Sequence, residues 1–183
     1  KVDLLDKGPA FFKAKGMREK EGDLLAQKIA LKSKPSINDY FDVGRAYYFG
    51  GANKKSYDAF TAFTQKYPDE VYGWEWKFNN ARILDSVKQD SIAVPDAIKL
   101  LEFSEKDTAK FKKQYIAAAG FLLGYYNNIA KDGAKALEYI NKMLLLDPTN
   151  QSYLDIKTQL EKNAKRAKGS SSGKRVIKPQ QTT

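Results

Sequence analysis

A chain of 183 residues can bury a substantial core, and this one does so without a single cysteine or histidine. Disulfides, thiolate nucleophiles and imidazole ligands are absent, which excludes Ser-His-Asp and Cys-His catalysis and the usual zinc centres. The formal net charge of +10 is uneven, because Lys162, Lys165, Arg166, Lys168, Lys174, Arg175 and Lys178 all follow the last acid, Glu161. Residues 1–161 keep about +3, an ordinary surface balance. No stretch is long and apolar enough to span a bilayer as a helix; Ile116 to Tyr126 fits a buried helix better. The chain starts at Lys1-Val2-Asp3 with no initiator Met and no signal-peptide pattern, which reads as a processed chain or a C-terminal fragment. A cysteine-free chain suits an oxidising or a reducing compartment.

Asp3 to Lys15 predicts a helix interrupted at Gly8-Pro9, with Leu4, Leu5, Phe11 and Phe12 as its apolar residues. Gly22-Asp23 starts a second helix through Leu24, Leu25, Ile29 and Leu31, which Pro35 ends; Ser36 is placed to cap the next one. Tyr40, Val43, Gly44 and Tyr47 then stand at i, i+3, i+4 and i+7, one apolar stripe on a helix. Glycine in mid-helix costs about 1 kcal/mol relative to alanine, so Gly44 should lie where another helix comes close. Gly50-Gly51-Ala52-Asn53 breaks this helix, Ser56, Phe60 and Phe63 stripe its partner, and Pro68-Asp69 stops it. A further helix runs from Val71 through Trp74. Its partner is expected late, at Pro95-Asp96-Ala97, with LDSVKQDSIAV or part of it as a loop insertion. Lys110 to Asn127 reads as a long helix whose Ala117-Ala118-Ala119-Gly120 lets a neighbour approach. Lys131-Asp132-Gly133 turns the chain into Ala134 to Leu146, closed by Asp147-Pro148-Thr149-Asn150. Gln151 to Lys168 carries Tyr153, Ile156 and Leu160 on a polar, basic helix, as a solvated cap would. From Gly169 the composition is that of a flexible linker, GSSSG, and then of a basic segment, KRVIKPQQTT, that cannot fold alone.

The stretch from Ile37 to Pro68 resembles a tetratricopeptide repeat, W-x2-L-G-x2-Y…A-x3-F…P over 34 residues. Tyr40 takes the Trp place, Val43 the Leu, Gly44 the Gly, Tyr47 the Tyr, Ser56 the Ala, Phe60 the Phe and Pro68 the Pro. Leu123-Gly124, Ala136, Ile140 and Pro148 repeat these spacings, with Gly120 and Asn127 at the two aromatic places. Counting 34 residues on from Tyr40 reaches Trp74. There Lys77-Phe78 replace Leu-Gly, Ala81 replaces Tyr, and about seven residues are inserted if Ala97 holds the small-residue place. The first hairpin has a poor signature, with Asp6 and Ala10 at the key places, as terminal repeats often do. The resemblance implies an all-α fold: a right-handed superhelical solenoid of antiparallel helix pairs with a C-terminal cap helix. The repeat domain would span residues 1–168, with hairpins near 1–35, 36–68, 69–107 and 108–148 and the cap at 150–168, followed by a flexible basic tail at 169–183. The family includes many exported bacterial proteins of similar composition. A periplasmic or envelope-associated location, as part of a longer bacterial protein, is one expectation; the cytoplasm is the other.

Such hairpins bury their apolar faces only by stacking, and in the family the first helix of each pair lines a concave wall. By register the inward residues would be Phe41, Arg45 and Tyr48, then Glu75, Asn79 and Arg82, then Phe121, Tyr125 and Asn128. Aromatics with arginine and amides suit a peptide or a segment of a partner protein; the other reading is that Phe41 and Phe121 only pack between repeats. One subclass grips a C-terminal carboxylate with Lys and Asn at fixed inward places; the Lys is missing here, so that ligand is not expected. Trp74 and Trp76, two residues apart, cannot both face one core; Trp74 fits it, and Trp76 falls to a groove edge or a contact between repeats. No Gly-rich phosphate loop, G-x-S-x-G or metal cluster occurs, and Asp69-Glu70 suits a helix end, so no enzyme activity, cofactor or metal is expected. The expected function is a protein–protein interaction scaffold that binds a peptide or partner segment. The alternatives are a spacer in a longer array with no ligand of its own, and a binder of anionic surfaces through the basic tail. That tail reads as solvated, as a segment docking through Val176 and Ile177, or as a salt-dependent contact with anionic polymer or membrane. It has no aromatics for base stacking, so no specific nucleic acid is expected. The oligomeric state is left open.

Overall fold

The computed structural model describes residues 2–88 and 91–171. Among them are nine helices and no strand. The chain divides into two compact units, residues 1–115 and 116–183.

The first unit contains α1 (Val2–Ala14), α2 (Arg18–Leu31), α3 (Ile37–Phe49), α4 (Asn53–Lys66), α5 (Val71–Lys88) and α6 (Ala93–Glu105), each packed on the next. The start of α7 (Lys112–Asn128) also belongs to it. Helix α3 begins at Ser36, whose hydroxyl accepts from the Asp39 backbone N–H while the Asp39 carboxylate takes the Ser36 backbone N–H at 2.7 Å. This reciprocal box satisfies two amide donors that a helix end leaves open. The bond from the Lys32 ammonium, with those from Ser36, holds the Asp39 carboxyl down at about 2. A carboxyl depressed by folding stabilises the native state above about pH 4, and that contribution is lost as pH falls toward the folded value. Asp39→Asn should therefore lower the melting temperature at neutral pH and narrow the gap from wild type near pH 2; a constant gap across that range would remove this account of the cap.

Packing of α3 on α4 is set by Gly44. A Cβ there would lie 2.6 Å from two atoms of the Phe60 ring, so only glycine admits this crossing. Ser56, in the small-residue place, is fully buried and donates its hydroxyl to the Gly44 carbonyl at 2.9 Å. The departure from alanine thus adds a buried hydrogen bond at the same crossing. Phe63 closes on Gly73 of α5 in the same way, and Tyr47 of α3 on Gly22 of α2. The Tyr47 hydroxyl donates to Asp23 at 3.0 Å, and burial with that carboxylate pushes its phenol up to about 12. Lys77 stands where the repeat expects leucine and meets Asp96 of α6 at 3.0 Å, so an ion pair replaces an apolar contact.

Three expectations need correction here. Helix α1 runs unbroken through Gly8 and Pro9; a proline there removes one donor and leaves the rest of the ladder in place. Helix α2 starts at Arg18, and Gly22 is interior, where it makes room for Tyr47. The inserted residues also lengthen α5 to 18 residues instead of looping out after a short helix, and α6 begins at Ala93, two residues before Pro95. No side chain from Ile92 caps α6; the Asp85 carboxylate of α5 accepts the N–H groups of Ile92 and Ala93 at 2.8 and 2.9 Å.

The second unit holds the rest of α7 with α8 (Gly133–Leu146) and α9 (Gln151–Ser171). Asp132 caps α8 through the Lys135 N–H at 3.0 Å. Tyr126 and Tyr139 stack at 5.5 Å between α7 and α8, and Ala136 and Ile140 are fully buried. Gly120 faces the Met143 methyl at 3.8 Å, an ordinary contact. Gly124, expected at a tight crossing, has nothing within 4 Å of where its Cβ would be. Residues 169–171, read above as linker, continue α9. The remainder of the basic segment, with Lys174, Arg175, Val176, Ile177 and Lys178, lies outside the described residues. Among the described residues no helix is long and apolar enough to cross a membrane.

Candidate partner-binding face

Helices α3 and α5 meet through aromatic rings, Phe41, Tyr48 and Phe49 from α3 and Tyr72 and Trp76 from α5. Trp76 lies at the centre. Its ring stacks on Phe60 at 5.6 Å and takes the edges of Tyr48 at 4.9 Å, Phe41 at 6.1 Å and Phe49 at 6.1 Å. Phe41 also meets Phe63 and Tyr72, at 6.1 and 6.3 Å. Edge-to-face and offset pairs at these distances suit the ring quadrupoles. Of the two readings for Trp76, the structure shows the contact between helix pairs. Trp74 is half-buried and donates its indole N–H to the Pro68 carbonyl at 2.9 Å.

Phe41, Arg45 and Tyr48 are therefore brought together, all half-buried. The Arg45 guanidinium lies 5.6 Å from the Phe41 centroid and 5.7 Å from that of Phe49, one helical turn to either side. Arg18 of α2 lies 5.7 Å from the Phe49 ring and 2.6 Å from the buried Glu21 carboxylate, though out of line for a hydrogen bond. Burial pushes the Glu21 carboxyl up, and Arg18, Lys13 and Arg45 offset this in part. Glu75 is half-buried and engaged by the Gln114 amide at 3.0 Å and the Lys113 ammonium at 3.7 Å. Asn79 is half-buried, and Arg82 is exposed with its guanidinium 5.5 Å from the Phe78 ring. In the second unit Phe121 and Tyr125 are half-buried, Tyr125 lies edge-on to Tyr126 at 5.2 Å, and exposed Asn128 accepts from the Asn127 amide at 2.8 Å.

Beside the aromatic cluster lies a cleft of about 300 Å³, lined by Ile37, Asn38, Phe41, Phe63, Glu70 and Tyr72. Its walls are apolar, with Asn38 and Glu70 as the polar groups. Tyr72 is 56% exposed there.

No family model matches the chain, and no curated protein does. Among solved structures it resembles the crystal structure of the C-terminal part of a TPR repeat-containing protein from Cytophaga hutchinsonii, with a TM-score of 0.68 and 24% identity over 85% of this chain. The fold is that of a tetratricopeptide-repeat array. The chain spans 61% of the length of that solved chain.

The tetratricopeptide count of 34 also relates exposed apolar residues that lie outside the inward set named from the register. It puts Leu4 and Tyr72 at the same repeat place as Asn38, and Phe11 at the place of Arg45 and Asn79. Leu4, Phe11 and Tyr72 are each more than half exposed. The available signal was this register applied to every first helix, including α1, whose own signature is weak.

Proposed function

We propose that the chain is a non-catalytic helical-repeat scaffold that binds a segment of a partner protein on the face shared by α3 and α5. The observation that carries this is the cleft walled by Ile37, Phe41, Phe63 and Tyr72, with Tyr72 held open to solvent at its rim. Apolar surface left exposed at a concave, polar-edged site marks an interaction surface more often than it serves stability. An extended segment would place one apolar side chain in the cleft and bond its backbone to Asn38. The aromatic cluster behind the cleft is packed before any ligand arrives, so little ordering entropy opposes binding. A spacer with no ligand would have its inner positions filled by neighbouring side chains; Trp76 covers Phe41 and Tyr48 in that way, and it is the cleft left open beside Tyr72 that favours a ligand.

Selecting random dodecapeptides on the full chain tests this. Selected peptides should shift the amide resonances of Ile37, Asn38, Phe41 and Tyr72. They should also bind Tyr72→Ser about tenfold more weakly while its melting curve stays unchanged. If no peptide is enriched, or binding ignores the substitution, the spacer reading stands instead.

A further inference from the structure

Arg45 has a feature that the cleft alone does not explain. It is a half-buried residue whose guanidinium has a ring one turn away on each side, and among the described residues it forms no ion pair. Its charge acts on the Glu21 carboxylate only beyond ion-pair distance, whereas nearby cations have a direct partner: Arg18 in Glu21 at 2.6 Å and Lys113 in Glu75 at 3.7 Å. Asp42, three residues earlier on α3, is exposed and makes no ion pair with it. Flanking rings restrict where the N–H edge of a guanidinium can point and strip part of its hydration, which favours a planar, bidentate acceptor over water.

We infer that Arg45 is a carboxylate receptor, and that the partner segment carries an Asp or Glu side chain beside the apolar residue that enters the cleft. This rests on the proposed binding face and names its ligand chemistry. The two halves of the recognition share Phe41: one side of its surroundings is the cleft wall, and the Arg45 guanidinium lies 5.6 Å from its ring. Phe41 and Arg45 are four residues apart on one helix, about 6 Å along the axis. An extended peptide covers that span in about two residues, so the acid belongs within two or three positions of the apolar anchor. Glu70, at the cleft rim, disfavours a second acid there and restricts the carboxylate to the Arg45 side.

The test compares dodecapeptides selected on the wild-type chain with those selected on Arg45→Gln. Wild-type selections should be enriched in Asp or Glu two or three positions from an aromatic or large aliphatic residue; selections on Arg45→Gln should keep the apolar anchor and lose the acid. The best wild-type peptide is then made with both ends blocked, so that only side-chain carboxylates are present. Changing its acid to the amide should weaken binding to wild type about tenfold and leave binding to Arg45→Gln within about twofold. Apolar-anchored peptides without acid enrichment, or an equal loss on both chains, would overturn the inference while leaving the binding face intact. If no selected peptide depends on Tyr72, the face and the inference fall together. Retained Tyr72-dependent binding of neutral peptides by Arg45→Gln shows that this variant is folded.

Discussion

Phe60→Ala should cost about 3–5 kcal/mol and lower the thermal midpoint by about 10 °C. The ring is fully buried, stacks on Trp76 at 5.6 Å, meets Phe41 at 5.9 Å and Phe63 at 6.3 Å, and lies directly under Gly44. Truncation removes the transfer energy of the ring and leaves a void among rings that are themselves fixed by one another, so collapse around it is limited. Circular dichroism melts report the loss, and indole fluorescence reports a newly hydrated Trp76. Leu145→Ala is the control: its side chain is 79% exposed and its loss should move stability by less than about 0.5 kcal/mol. Comparable effects from the two substitutions would mean that the aromatic cluster is not the core of the first unit.

The second large effect separates two glycines that the sequence presents as equivalent. Gly44→Ala should destabilise by about 2 kcal/mol even though alanine is the better helix former, because the added methyl would lie 2.6 Å from a Phe60 ring that cannot retreat. Gly124→Ala should stabilise by about 0.5–1 kcal/mol, since its Cβ meets nothing within 4 Å and the unfolded chain loses freedom. Adding Phe60→Leu to Gly44→Ala should recover part of the loss, with a coupling of about 1 kcal/mol in a double-mutant cycle. Chemical denaturation midpoints decide it. Strict additivity, or two glycines that respond alike, would show that the α3–α4 crossing is not set by this contact.

That contrast shows what could be read from the residues alone. The spacing Gly44, Ser56, Phe60 records a contact, since a missing side chain, a small one and a ring are what a close crossing requires. The all-helical architecture follows from it. Gly124 and Ala136 repeat the spacing without the tight approach, because sequence periodicity fixes register and not distance. The interruption expected at Pro9 and the helix start expected at Gly22 both came from local propensity, which packing overrides: Gly22 is interior because Tyr47 lies against it. The polar run after Leu84 resembles a loop, yet α5 continues into it as far as Lys88, with Ser86 bonding back to the Ile83 carbonyl. For the candidate site, the placing of Arg45 between Phe41 and Phe49 is a matter of i±4 spacing and so is visible in the chain. The covering of Tyr48 and Phe41 by Trp76 is not, because that residue arrives from another helix. Nor is the cleft at Tyr72, whose walls Ile37, Phe63 and Tyr72 are brought together from three separate helices.

The carboxylate of Asp85 that closes the start of α6 has a consequence for how the gene for this chain can change length. Helix α5 continues beyond Asp85 to Lys88, past the point where its partner is already secured. The start of α6 is thereby set from within α5 and not by the length of the connection, so codons gained or lost there would leave α5 and α6 in register.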